Sequence, residues 1–218
     1  MDNSRIRGHT DLPLTPDAVS DTTDLSNQIH TSGGLDALLT GTLSRNTHTA
    51  DLISQGVIPI HTTPDLNGLP YGALEGMPTS HAKDIISTYL NDHPDIPLPG
   101  VSAYSGVPGQ SMNQFKNRVL PIVKGTMAYA DANPDKKVGL VVNRQTIRTV
   151  ERWLNNGAPP DLSLSDQHQA DYGSNLYHIK DGKLVEPGQQ DTMAPGVYLI
   201  PHGVTAWNKP SGKSGGLS

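Results

Sequence analysis

The sequence contains no cysteine, which removes disulfides, thiol nucleophiles and cysteine-ligated metals at once. Aromatic residues are scarce, at 5%, with a single Phe115, and the hydrophobic fraction is 34%. Against that stand 22 Gly and 18 Pro, a balance that predicts modest secondary elements separated by long loops, where function tends to sit. No apolar run approaches the ~20 residues that a membrane-spanning helix needs, and the N-terminal stretch lacks the apolar core of a signal peptide. The formal charge is -5 and no block of clustered Lys and Arg occurs, which argues against a nucleic-acid surface. These absences lead to the expectation of a soluble, cytoplasmic protein that binds neither nucleic acid nor membrane. Its 218 residues suit one domain with a sizeable core.

What is present is organised around Gly196-Val-Tyr-Leu-Ile-Pro-His-Gly-Val-Thr-Ala-Trp-Asn208. Val197 to Ile200 reads as a buried strand that delivers His202 to its C-terminal edge, where open α/β sheets place their ligands. Taken alone, the stretch is also what an ordinary strand stopped by a Pro-His-Gly turn looks like.

The stretch Tyr198 to Asn208 resembles the opening signature of the histidine phosphatase (phosphoglycerate-mutase-like) superfamily, hydrophobic-Arg-His-Gly-x-Thr-x-x-Asn, with Pro201 in place of the arginine. Ser4-Arg-Ile-Arg-Gly-His-Thr-Asp-Leu-Pro-Leu-Thr15 resembles the segment that follows this signature in the family. Thr40-Gly-Thr-Leu-Ser-Arg-Asn-Thr-His-Thr-Ala-Asp-Leu-Ile53 is similar to its Ser-x-Leu-x-Arg-Ala-x-x-Thr-Ala motif, with Arg45 at the arginine and Thr49 and Ala50 at the expected offsets. Leu66 to Gly76 is similar to a Gly-rich family loop, with Gly68 where many members carry a general-acid glutamate and Glu75 at its closing Glu-Gly. Pro108 to Arg118 resembles a further family motif with Gln110 for glutamate, and Val141 to Arg148 the junction that bears the second catalytic histidine, here Asn143.

The family order starts with the histidine motif, whereas here that motif comes last. The resemblance therefore implies a circular permutant, closed through 187–195 and opened in a Gly/Ser-rich loop; the competing account is a piece of a longer or tandemly repeated polypeptide. The expected organisation is one domain over 1–218: a family body over 1–186, a linker over 187–195, the nucleophile strand and motif over 196–208, and a flexible tail over 209–218.

The element pattern agrees with an α/β fold. Helices are expected over Pro16 to His30 with Thr15 as cap, from Ser44 or Thr42 to about Ile53, over Ser80 to Asn91 capped by Ser80, over Ser111 to about Asp131, and over Thr146 to Asn155. Strands are expected at Leu35 to Leu39, Ile58 to Ile60, Lys137 to Val142 and Val197 to Ile200, with a hairpin turning at Asp181-Gly182. Expected core positions include Ala82, Ile85, Ile86 and Tyr89 in one helix, and Phe115, Val119 and Ile122 in another. The resemblance implies a three-layer sandwich, a mostly parallel central sheet with helices on both faces, phosphoglycerate-mutase-like and circularly permuted.

The family likeness also implies the chemistry. His202 would be the nucleophile towards a phosphoryl group, with Arg45 as its catalytic partner. Arg7, Gly8, Thr205, Asn208, Asn143 and Arg144 would bind the phosphorylated small molecule; no metal or cofactor is implied. Loss of an electrostatic stabiliser costs about a hundredfold or more in rate, and Pro201, Asn143 and Gly68 each depart from the pattern. Two functions follow: a weak phosphomonoesterase working through phosphohistidine, or an inactive phosphatase-fold module for binding or for a larger assembly.

Overall fold

The computed structural model describes residues 4–155, 176–185, 192–205 and 207. The expected tail, most of the expected linker and Asn208 lie outside the described residues. Among the described residues five α-helices and six strands follow one another as α1 (Pro16–Thr31), β1 (Ala37–Thr40), α2 (Ser44–Ser54), β2 (Ile60–Thr62), α3 (Thr79–Asn91), α4 (Met112–Ala132), β3 (Lys137–Val142), α5 (Arg144–Leu154), β4 (Tyr177–Lys180), β5 (Lys183–Val185) and β6 (Gly196–Pro201). The strands form one sheet in the order β2-β1-β3-β6-β4-β5. The first four run parallel, and the β4–β5 hairpin joins antiparallel to β6.

Alternation along the two central strands explains the three layers. Val138, Leu140 and Val142 of β3 and Val197 and Leu199 of β6 face one side, where they pack with Ala82 and Ile86 of α3, Phe115 and Val119 of α4, and Ile147 of α5. Val141, Tyr198 and Ile200 face the other, against Leu25 and Ile29 of α1 and Ala50 and Ile53 of α2. Burying each such aliphatic side chain contributes about 1.5–3 kcal/mol. Gly139 leaves room for this packing: a Cβ there would stand 2.8 Å from Leu38 Cδ2. The hairpin turns at Asp181 and Gly182, both at positive φ, as a two-residue Asp-Gly turn demands.

Several sequence expectations need correcting. The first strand is Ala37–Thr40, because Asp36 is used to accept the Lys137 N–H ahead of the ladder. The edge strand is Ile60–Thr62, downstream of Pro59, which has no N–H to give. Neither Ser44 nor Thr42 caps α2: Leu43 is at the N-cap, and Asp11 reaches across to accept from Ser44 N and Oγ. Ser80 does not cap α3, whose N-cap is Pro78. In α3 Ile85 is exposed and Leu90 buried, so the stripe runs Ala82, Ile86, Leu90, and in α4 Val123 is buried where Ile122 is partly buried. Helix α4 continues through Pro121 and Gly125, with Ser111 and Gln114 forming its capping box. Helix α5 begins two residues early, at Arg144.

Candidate active site

The register Val142↔Pro201 brings the C-terminal ends of β3 and β6 level, so Asn143 and His202 leave the sheet side by side. The His202 N–H extends the ladder by donating to Val142 C=O at 2.9 Å. A cavity of about 100 Å³ opens there. Among its lining residues are Arg7, Gly8, Arg45, Asn143, Arg144 and His202, which are six of the eight expected site residues. Of the other two, Thr205 is buried and touches Arg7, and Asn208 is not described.

His202 is held with one nitrogen occupied. Its Nδ1 lies 2.8 Å from Gly203 C=O, and a carbonyl only accepts, so Nδ1 carries the proton and Nε2 keeps its lone pair. Burial, then the charges of Arg45, Arg7 and Arg144, hold the imidazole well below its ordinary pKa. The result is a neutral imidazole with Nε2 unengaged, set among guanidinium groups. Gly203 sits tightly under this arrangement: its N–H donates to Thr49 Oγ1 at 3.3 Å, and a Cβ would stand 3.0 Å from Ala18 Cβ.

The loop that follows His202 is stitched to the 5–15 segment. Thr15 N donates to Val204 C=O and Arg5 N to Trp207 C=O, each at 3.0 Å, and Leu14 pairs with Thr205. Arg7 Nη1 donates to Thr205 Oγ1 at 2.9 Å. Burial lowers the Arg7 pKa well below its usual value, with Arg45 and Arg144 adding repulsion.

Arg45 stands in the first turn of α2, where the helix dipole disfavours a cation. It is 2% exposed, and its guanidinium donates to the carbonyls of Thr10 and Gly8. Its Nε has no hydrogen-bond partner among the described residues. The dipole penalty is thus offset by two carbonyls, which also fix the 8–10 turn. Burial lowers the Arg45 pKa, while Asp11 and Glu75 act the other way.

Asn143 and Gly68 are where the pocket is weakest in chemistry. Asn143 is the N-cap of α5: Oδ1 accepts from Thr146 N and Nδ2 donates to Thr146 Oγ1, both at 3.1 Å. Its side chain is committed to the helix. Gly68 carries no side chain, and Glu75 of the same loop is buried and consumed by the backbone N–H of His9 and Tyr71 and the hydroxyls of Thr10, Ser102 and Ser105.

Sequence reasoning did not include Arg5, Tyr71 or Gln145 among the site residues, and all three line the cavity, as does Arg148. Gln145 and Arg148 stand at positions two and five of α5, on the cavity side with Asn143, and a helix read as starting at Thr146 gives no signal for Gln145. Tyr71 is buried beside the cavity, and that burial pushes its phenol up to about 12. Among the described residues no group of three or more His, Asp or Glu could hold a metal ion, and no helix is long and apolar enough to cross a membrane.

A mixed α/β sheet between two layers of helices thus carries, at the carboxyl ends of its parallel strands, a cavity lined by arginines and a histidine. The model of the histidine phosphatase superfamily (branch 1) matches residues 2–185, and the chain belongs to that superfamily. The matched span ends before β6. No curated protein matches the chain in sequence. Among solved structures it is similar to YhfR of Bacillus stearothermophilus, at 21% identity over 87% of this chain and 90% of that one, with a TM-score of 0.61. It is also similar to the alpha-ribazole phosphatase of Shigella flexneri, at 16% identity over 88% and 92%, TM-score 0.59. A mycobacterial glucosyl-3-phosphoglycerate phosphatase aligns at 15% identity over 72% and 73%, TM-score 0.55. At these identities the likeness is one of fold.

Proposed function

We propose that this protein is a histidine phosphatase that hydrolyses a small phosphomonoester through a phosphohistidine at His202. The observation that carries the reading is the His202 imidazole, neutral and with Nε2 unengaged among Arg7, Arg45 and Arg144. In the first step the Nε2 lone pair attacks phosphorus and the bond to the ester oxygen breaks, the electron pair leaving with that oxygen. The arginines bind the equatorial oxygens, where charge must be held. No carboxyl group stands at residue 68, so the leaving oxygen takes its proton from water. In the second step water attacks the N–P bond, releasing orthophosphate and returning the electron pair to Nε2; the water's proton goes to solvent.

The motif order supports reading the chain as a circular permutant. The family match over 2–185 excludes β6, yet β6 lies in the middle of the sheet, and Arg5 is hydrogen-bonded to Trp207. A chain reordered to begin at Met193 and continue from Ser218 into Met1 should fold with the same cooperative melting transition; a reordered chain that fails to fold would count against permutation.

The commitment of Asn143 to Thr146 favours a second reading, that of a module that binds phosphate without turning it over. Hydrolysis of an aryl phosphate by the unaltered chain, by His202→Ala and by Arg45→Ala separates the two. Activity lost in both variants supports the phosphatase; no turnover above the His202→Ala level leaves the binding module.

A further inference from the structure

We propose a second binding site, a cleft among α3, α4 and α5 that takes a small amphipathic carboxylate, its apolar body on the floor and its carboxylate between Lys116 and Arg152. This cleft shares no lining residue with the arginine-lined cavity and does not depend on the reading of His202.

Helical spacing builds the cleft. Met112, Lys116 and Leu120 follow one another every fourth residue on one face of α4, and Thr149, Arg152 and Trp153 share a face of α5. Leu90 closes the floor from the last turn of α3. Leu90, Met112 and Leu120 are buried members of the core, so the floor is apolar and fixed by packing. The volume is about 400 Å³, against about 100 Å³ for the arginine-lined cavity, and falls within the ~300–1,000 Å³ of small-molecule pockets.

Charge decides what the cleft takes. Lys116 stands between two apolar residues of its face, and both it and Arg152 are half-buried. Lys116 Nζ donates to Asn113 Oδ1 at 3.3 Å, and Arg152 Nη1 to Asn91 Oδ1 at 3.2 Å, so each cation rests on a neutral amide. Neither makes an ion pair among the described residues. Lys124 Nζ, 5.0 Å from the centroid of the Trp153 ring, adds a third positive charge beside the cleft. No lining residue carries a carboxylate, and Asp95 next to it accepts from Asn113 Nδ2 at 2.6 Å. A wholly apolar occupant would bury two cations against groups that cannot neutralise them. An anionic head between the ammonium and the guanidinium gains charge-assisted hydrogen bonds while its body covers Leu90, Met112 and Leu120. Trp153 in the wall suits an aliphatic or an aromatic body.

Calorimetric titration of the unaltered chain with octanoate and with naphthoate, each paired with its uncharged amide, tests this. At least one of the two carboxylates should bind with a Kd below about 1 mM, and about tenfold or more tighter than its own amide. The tighter of the two tells an aliphatic from an aromatic acid. Arg152→Gln should lower the affinity for that carboxylate about threefold or more and leave the amide's affinity unchanged, and Lys116→Glu should remove the preference for acid over amide altogether. Carboxylates that bind no tighter than their amides, or not at all, overturn the proposal. So does a preference that survives both substitutions in variants that melt cooperatively. Should one variant not fold, the other decides; should neither fold, the comparison of acid with amide on the unaltered chain decides alone. His202→Ala should bind the carboxylate as the unaltered chain does, and loss of binding there would place the ligand in the arginine-lined cavity and overturn the second site.

Discussion

Gly68 faces the side-chain amide of Asn143: a Cβ on residue 68 would stand 3.2 Å from Asn143 Nδ2. Residues 68 and 143, which the motif resemblance aligns with a carboxyl group and a second histidine, are therefore in contact, and a change at one bears on the other. The amide caps α5 and fills the space beside the glycine.

Restoring histidine at 143 should therefore exchange stability for rate. Asn143→His removes the cap on Thr146 N, which costs about 1 kcal/mol. A second imidazole at the phosphoryl oxygens should raise aryl phosphate turnover about tenfold or more. Melting curves and kcat measured on the same preparation check both halves, and an unchanged kcat would show that residue 143 does not limit the rate. Gly68→Glu alone should be the worse variant, because its Cβ meets Asn143; combined with Asn143→His the effects should not add.

Glu75 holds three loops together through a carboxylate with no opposing side-chain charge bonded to it. It gathers His9 and Thr10, Tyr71, and Ser102 and Ser105 around two oxygens. Glu75→Ala should destabilise the protein by at least about 3 kcal/mol, since the donors would be stranded in a buried place. Gly8→Ala should weaken the same point: residue 8 has φ +53, and a Cβ would lie 2.2 Å from Glu75 Oε1. Urea unfolding midpoints check both. Gly8→Ala should in addition lower phosphatase activity, because the Gly8 carbonyl anchors Arg45.

Much of the scaffold was legible in the chain. Lys137-Val-Gly-Leu-Val-Val142 and Gly196-Val-Tyr-Leu-Ile-Pro201 are β-rich, Gly/Pro-bounded runs, and both became central strands. Ser111 and Asp181-Gly182 carry local chemistry that fixes a cap and a turn whatever the fold does. His202, Arg45 and Arg7, named from motif resemblance, line one cavity. What could not be read was tertiary. The carboxylate that accepts from Ser44 N at the start of α2 belongs to Asp11, 33 residues away, and nothing near Ser44 announces it. The use of Glu75 depends on loops at 9, 71 and 102 meeting, and the use of Asn143 on whether its amide turns to the helix or to the cavity. Gln145 and Arg148 become site residues only when α5 begins at Arg144, and helix starts are where local patterns are least informative.

Arg7 occupies a place that bears on Pro201, the residue that stands where the motif has arginine. Its guanidinium is fixed by Thr205 Oγ1 and lies close enough to Arg45 and Arg144 for mutual repulsion. Arg7→Gln should lower kcat/KM for an aryl phosphate about a hundredfold. Thr205→Val, which frees the guanidinium without removing it, should cost less and act mainly on KM. If Arg7 does the work of the missing arginine, Pro201→Arg placed in the Arg7→Gln background should recover at least about tenfold; no recovery would assign Arg7 a separate role.

Three buried or half-buried imidazoles make the protein sensitive to acid. His202, His9 and His178 all have lowered pKa values, in each case chiefly through burial, and for His202 the neighbouring arginines add to it. His9 Nε2 lies against Gly68 C=O at 2.8 Å, and His178 is stacked on Tyr198 with ring centroids 4.5 Å apart. In the unfolded chain these groups titrate near the ordinary value of about 6.5. As pH falls below that, the unfolded chain takes up protons that the folded protein refuses, so stability is full above about 6.5 and is lost progressively towards the folded pKa values. His202→Gln should flatten part of this slope, measured as the pH dependence of the urea midpoint between about pH 4.5 and 8. The same displacement should govern activity: protonation of Nε2 would abolish the nucleophile, so the acid limb of kcat/KM, which reports the free protein, should fall below pH 6.5, and a limb at or above that value would show that the pocket does not keep His202 neutral.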